Sequence, residues 1–168
     1  MEYIAGMITI VLFAAMVFSG SEDGSAGGES NGDEKEQVVF REEEQKSFKG
    51  PEEWFTGDVQ VDLMFPDNET AHYSGARVTF QPGARTAWHL HPAGQHLVVT
   101  AGVGLTGTRD GTILQFNAGD VIWCPAGIDH WHGATPDSPM THVALTGVLQ
   151  GENVIWKEKV TDEQYSGR

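Results

Sequence analysis

Five of the chain's seven histidines fall at positions 89, 91, 96, 130 and 132. In an extended strand alternate side chains share a face, so His89 and His91 point the same way, about 7 Å apart along the chain. Two neutral imidazoles at that spacing can converge on one cation. Gln95 has the same parity and opens the next strand after Pro92-Ala93-Gly94, so a hairpin folds its amide back over the pair. His130 lies far along the chain behind a second Pro-Ala-Gly turn and has to be delivered by the fold. Unrelated surface histidines would not pair in this way. His132 shares the parity of His130 and is a candidate to carry a proton or brace a ligand, or else to bond backbone at a barrel mouth. His96 has the opposite parity to Gln95 and is expected to face outward, and His72 is expected at the surface.

These side chains need a scaffold, and from Gly57 onward the sequence reads as short strands separated by turns. Val59–Phe65 alternates apolar and polar residues. Ser74–Phe80, Thr86–His91, Gln95–Thr100, Gly104–Arg109, Thr112–Phe116, Val121–Cys124, His130–Gly133, His142–Val148 and Val154–Val160 follow at near-regular spacing. Asp110-Gly111 is a tight-hairpin signal. No amphipathic helix is evident between the strands, which implies an all-β sandwich or barrel. Trp88, Trp123 and Trp131 are expected as packing residues in the core or at an interface, any of which could wall the cavity. Thr86 is expected to be structural and Arg85 to lie at a surface or interface.

With 168 residues the chain suits one domain. Its 24 acids against 10 bases, net −14, exclude nucleic acid as a partner and fit an acidic surface. A single cysteine, Cys124, excludes an internal disulfide and a cysteine-rich zinc site. Residues 1–20 contain an uncharged apolar run, Ile4–Phe18, of signal-peptide length and short for a membrane span. Export to the periplasm or outside the cell is the first reading. A retained membrane tether is the second, and a cytoplasmic protein with a mistaken start the third, because no Lys or Arg precedes the run. Residues 21–50 read as an acidic flexible linker, with Gln37–Lys49 a tether able to dock an edge of the barrel. Residues 51–168 are then the folded domain.

Two motifs place that domain in a known family. Gly83, His89, His91, Gln95 and Gly102 have the spacing of the first cupin motif, with Gln in place of the usual Glu. Gly119, Pro125, Gly127 and His130 resemble the second motif, whose final Asn is replaced by Ala134. The segments Gly83–His89, His130–Ala134 and Met140–His142 further resemble small manganese-binding cupins with a three-His, one-Gln site, including cupin-type hydroxynitrile lyases. The resemblance implies a double-stranded, jelly-roll-like β-barrel and the ligand set His89, His91, Gln95 and His130. It also implies a cavity-facing proton carrier at His142 and a homodimer or higher homo-oligomer.

Three imidazoles and an amide leave the +2 charge of an ion uncompensated, which favours Lewis-acid chemistry on a small polar organic substrate. The donors suit one divalent ion, Mn first, then Fe, with Ni or Zn depending on supply. The expected function is a C–C lyase acting on small carbonyl compounds or cyanohydrins, with His142 or His132 moving the proton. A metal-dependent dioxygenase and a non-catalytic binding or sensing domain are the alternatives.

Overall fold

A computed structural model describes residues 36–167. The apolar segment 1–20 and the first half of segment 21–50 lie outside the described residues. The compact unit opens at Val38. After a short 3-10 turn, Glu42–Glu44, it contains β1 (Lys46–Lys49), β2 (Phe55–Thr56), β3 (Val59–Phe65), β4 (Tyr73–Phe80), β5 (Arg85–Thr86), β6 (His89–Leu90) and β7 (Gln95–Thr108). β8 (Ile113–Asn117), β9 (Val121–Cys124), β10 (His130–Ala134), β11 (Met140–Gly147), β12 (Ile155–Trp156) and the short helix α1 (Asp162–Ser166) follow. Among the described residues no helix is long and apolar enough to cross a membrane.

The strands form one curled antiparallel sheet in the order β1-β3-β4-β11-β7-β10-β5-β2, with β8 and β9 also on β7 and β6 joined to β10 and β12. The result is the expected all-β, double-stranded barrel. β7 explains the curl. Its first half, from Gln95, pairs with β9 and β11, and its second half, from Val103, pairs with β8 and β10. The sequence pattern predicts a break in this strand at Ala101-Gly102. The structure bends it there instead and carries it from one wall of the barrel into the other.

Gly102 makes the bend possible. Its φ is +75°, in the left-handed region, and a Cβ there would sit 1.8 Å from the Pro139 carbonyl oxygen. Gly111, at φ +86° in the hairpin turn, has open space where a Cβ would stand, with nothing within 4 Å. Gly111→Ala is therefore expected to cost only the left-handed penalty, ~1–2 kcal/mol. Gly102→Ala adds a backbone clash and is expected to leave little folded protein, as read by soluble yield and urea unfolding.

The barrel interior is lined by alternate residues. β11 turns Met140, His142, Ala144 and Thr146 inward. Val59 and Val61 of β3, Val78 and Phe80 of β4, and Val99 of β7 join Phe55, Phe116 and Ala134 in one apolar core. Burying side chains of this size stabilises the fold by about 1.5–3 kcal/mol each. Cys124 is buried with Leu97 and Ala144, and burial pushes its thiol pKa up to about 12. It is a small packing residue.

Three boundaries differ from those the sequence predicts. β1 pairs with β3 from Lys46↔Leu63 to Lys49↔Gln60, so the tether read at Gln37–Lys49 docks its last residues on an edge of the barrel and the sheet begins before residue 51. This is an edge strand whose exposed lysines blunt the open edge, and the charge hides the strand pattern. Thr86–His91 is interrupted between β5 and β6. Val154–Val160 contributes only Ile155–Trp156 as strand, and then leads into α1, closed by a Thr161/Gln164 capping box and by Gly167 at φ 69°.

Candidate metal centre

The barrel brings the sequence-predicted residues to one place. His89 on β6 is cross-strand neighbour of His130 on β10, and His132 lies one step further along the same inward face. Ring nitrogens of His89, His130 and His132 all lie within 4.8 Å of one another. His91 follows β6, and its ring centroid is 5.0 Å from that of His89 and 5.4 Å from that of His130. Gln95 opens β7 after the turn at Gly94, opposite Thr146 of β11. His142 of β11 reaches the group from the other wall, with its ring 5.0 Å from His132. All six side chains are buried, and His142 is fully so.

Backbone carbonyls fix the imidazoles. His89 Nδ1 meets the Ala87 oxygen at 3.0 Å, His130 Nδ1 the Ile128 oxygen at 3.0 Å, and His91 Nδ1 the Asn153 oxygen at 2.5 Å. A carbonyl only accepts, so each Nδ1 carries the hydrogen, and in a neutral ring Nε2 is left as a lone-pair donor. The Gln95 amide is held in the same manner, its Nε2 donating to Thr146 Oγ1 at 2.8 Å. The atoms left over are informative. His91 Nε2, His130 Nε2 and Gln95 Oε1 are buried without a hydrogen-bond partner, as are His132 Nδ1 and both nitrogens of His142. A buried polar atom without a partner costs about 1–3 kcal/mol, and so many in one place mark a site that is completed by something else. These neutral nitrogens and an amide oxygen are a donor set that fits a divalent cation.

Burial also decides protonation. Desolvation is the largest cause holding His91 down to about 4 and His142 to about 3. His89 and His132 are pushed well below the ordinary histidine value by burial and then by their charged-form repulsion from neighbouring imidazoles. His130 is lowered mainly by burial. The rings are therefore neutral near pH 7, the state a metal requires.

The remaining sequence-predicted residues fall elsewhere. His96 is exposed and lies against Trp123, which is also largely exposed and so is no core residue in this chain. His72 is exposed, as expected. Trp88 and Trp131 pack with Val160 and Tyr165. Thr86 is buried and its hydroxyl accepts the His132 backbone N–H at 3.1 Å, a structural role. Arg85, expected at a surface or interface, is not at the surface of the chain. It is buried, donating to the Asp162 carboxylate at 2.6 Å and to the Val160 carbonyl. Thr146, Asn153 and Trp156 also belong to the site, and the sequence pattern did not single them out. The Trp156 ring lies 4.9 Å from that of His89 and stacks on Trp54 at 5.5 Å. Only Thr146, by parity with His142, carried any sequence signal.

Comparison with known proteins agrees with this architecture. Residues 76–146 match the family model of the cupin domain. An (R)-mandelonitrile lyase from Granulicella tundricola is 52% identical over 121 residues, covering 72% of this chain and 92% of that protein. The crystal structure of a cupin-like protein from Thermotoga maritima superposes with a TM-score of 0.66 at 37% identity, covering 70% of this chain and 89% of the other. A polyketide cyclase from Streptomyces resistomycificus, at 13% identity and a TM-score of 0.58 over 78% of this chain and 92% of that one, shares the fold alone. A barrel built on two cupin motifs, a cluster of three inward histidines suited to a divalent ion, and a relative alike over nearly its whole length lead to one conclusion: this chain belongs to the cupin family.

Proposed function

We propose that the chain holds one divalent metal ion, manganese first, through His89, His91, Gln95 and His130, and that it is a lyase making and breaking the C–C bond of cyanohydrins. The observation that carries the ligand set is the shared arrangement of these side chains. Each has its other polar atom tied to protein, and the donor atoms left on His91, Gln95 and His130 are buried without a partner. His132 has no such tie at Nδ1 and stays outside the set. Bound there, the ion supplies Lewis acidity toward an oxygen or nitrogen of a small substrate, its charge uncompensated because all four donors are neutral.

The chain's own residues do the rest. His142 and His132 are neutral, buried and lack partners at Nδ1, so they are placed to take the hydroxyl proton of a cyanohydrin. As that O–H bond breaks, the oxygen lone pair becomes the carbonyl, the bond to the nitrile carbon breaks, and cyanide leaves with the electron pair. The same imidazole then returns the proton to cyanide, and no oxidant is consumed. Phe80 packs against both rings, with centroids 5.8 Å from each, and keeps water from competing for the proton. The substrate class is supported by the likeness to the mandelonitrile lyase.

The test uses protein purified without added metal, then loaded with manganese and given mandelonitrile. Benzaldehyde is expected to appear well above the buffer rate, to stop with chelator, to return with metal, and to form equally under nitrogen. No acceleration by fully loaded protein would refute the lyase reading, and oxygen dependence would favour the dioxygenase.

A further inference from the structure

We propose that the C-terminal segment from Asn153 to Gly167 is a positioning strap for the metal centre, setting the orientation of His89 and His91 and so how firmly the ion is retained. The inference rests on the ligand set above. The segment lies beyond residues 76–146, the part matched by the cupin domain. It nevertheless supplies two contacts to the ligands. The Asn153 carbonyl accepts from His91 Nδ1, and Trp156 is both cross-strand partner and ring neighbour of His89. The strand that carries His89 is only two residues long, with β10 on one side and β12 of the strap on the other. Strand pairing of that length holds little by itself, so the strap is half of what fixes His89.

Besides backbone pairing of Lys157 and Glu158 with Trp88 and the Lys157–Asp129 ion pair, the strap is fastened further from the ligands. The buried Arg85 grips the Val160 carbonyl and Asp162, Trp88 Nε1 donates to Gln164 Oε1 at 3.1 Å, and the Tyr165 hydroxyl donates to the Ala134 carbonyl at 2.7 Å. The Arg85 guanidinium also lies 4.7 Å from the Tyr165 ring centroid. None of these fastenings touches a proposed ligand. At its start the strap is joined to β11 through a tight turn at Leu149–Glu152, where Gln150 is held at φ 54° and Gly151 at φ 83°. Gln150 is the sole non-glycine residue with positive φ among the described residues. A turn of this kind next to a buried centre fits a hinge from which the segment is folded back.

The experiment compares the full chain with its Asp162→Ala/Gln164→Ala variant. Asp162 is 91% exposed at the side chain, so its truncation opens no cavity, and the effect inside the protein is confined to Arg85, which loses its carboxylate partner. Three quantities are read: trypsin cleavage at Lys157 and Lys159, the visible spectrum of the cobalt-loaded protein, and manganese release to excess chelator. Cleavage is expected to accelerate, the cobalt bands to shift, and release to quicken about tenfold, the lower end of what loss of outer ligand support costs. Asp162→Glu, which keeps a carboxylate for Arg85, is expected to bring all three back toward the parent. Faster cleavage with an unchanged spectrum and release rate would overturn the proposal, and so would cleavage that stays at the parent rate. Failure of the ligand set is told apart from this by the parent protein, which would then take up neither metal.

Discussion

His130→Ala is expected to leave a folded barrel that no longer retains metal and turns over mandelonitrile more than about 100-fold more slowly than the parent. That figure is the upper end of what outer-shell substitutions cost, and a lost ligand should exceed it. The substitution removes the partnerless Nε2 but also the Nδ1–Ile128 hydrogen bond and a buried ring, so the metal-free form should lose about 1–3 kcal/mol and still fold. Metal content by elemental analysis and urea unfolding of metal-free protein separate the two effects. His91→Ala should behave alike. His96→Ala should change neither quantity, since that ring is exposed beside Trp123. Gln95→Glu is the informative intermediate. A carboxylate in place of the amide lowers the net charge of the loaded centre from +2 to +1, so the ion should bind more tightly while turnover drops. Retention of a full complement of metal by both alanine variants would show that the four side chains do not form the site.

The second large effect concerns acid. Five imidazoles, His89, His91, His130, His132 and His142, are buried neutral with pKa values displaced downward, chiefly by desolvation. In the unfolded chain they titrate near 6.5. Below that value the unfolded state binds more protons than the folded one, so stability falls as pH falls. The contribution is fully present above about 6.5. For His91 it goes on being lost down to about 4, and for His142 down to about 3. Each such group costs on the order of 1 kcal/mol per pH unit within its window. Set against a typical total of ~5–15 kcal/mol, such groups together are a large share, so the metal-free protein is expected to lose stability steeply between pH 6 and 5. Urea midpoints at pH 7.5, 6 and 5 should drop steeply without metal; saturating manganese, which binds only the folded, deprotonated site, should raise the midpoint at each pH without flattening the drop. An unchanged midpoint over that range would mean that the rings are solvated or already charged.

The parts of this site that follow from strand parity were legible in the sequence, and the parts that depend on pairing between distant segments were not. His89, His91 and Gln95 sit within seven residues, so alternation and one turn suffice to converge them. His130 needed the second motif. His142 on β11 was placed by family resemblance, and in the structure it faces inward. Arg85 could not be read as buried, because its compensating carboxylate and carbonyl come from 77 and 75 residues away. The same holds for Asn153 and Trp156, whose value lies wholly in what β6 presents to them. The missed helix is a different case. Its Thr161/Gln164 capping signature was present, but five residues give no hydrophobic periodicity to notice. β7 was divided in two because glycine usually ends a strand, whereas here Gly102 lets one strand serve two walls.

That shared strand has a consequence for the newly made polypeptide. The first half of β7 waits for β11, and the second half waits for β10, so neither wall can close on material already released by the ribosome. The hairpin of β7 and β8 can assemble locally, but the remaining pairings span long stretches of chain, which slows folding. With β6 braced by β12, metal capture is expected only once Ile155 and Trp156 have left the ribosome. A nascent chain stalled at residue 147 should accordingly show no specific manganese uptake.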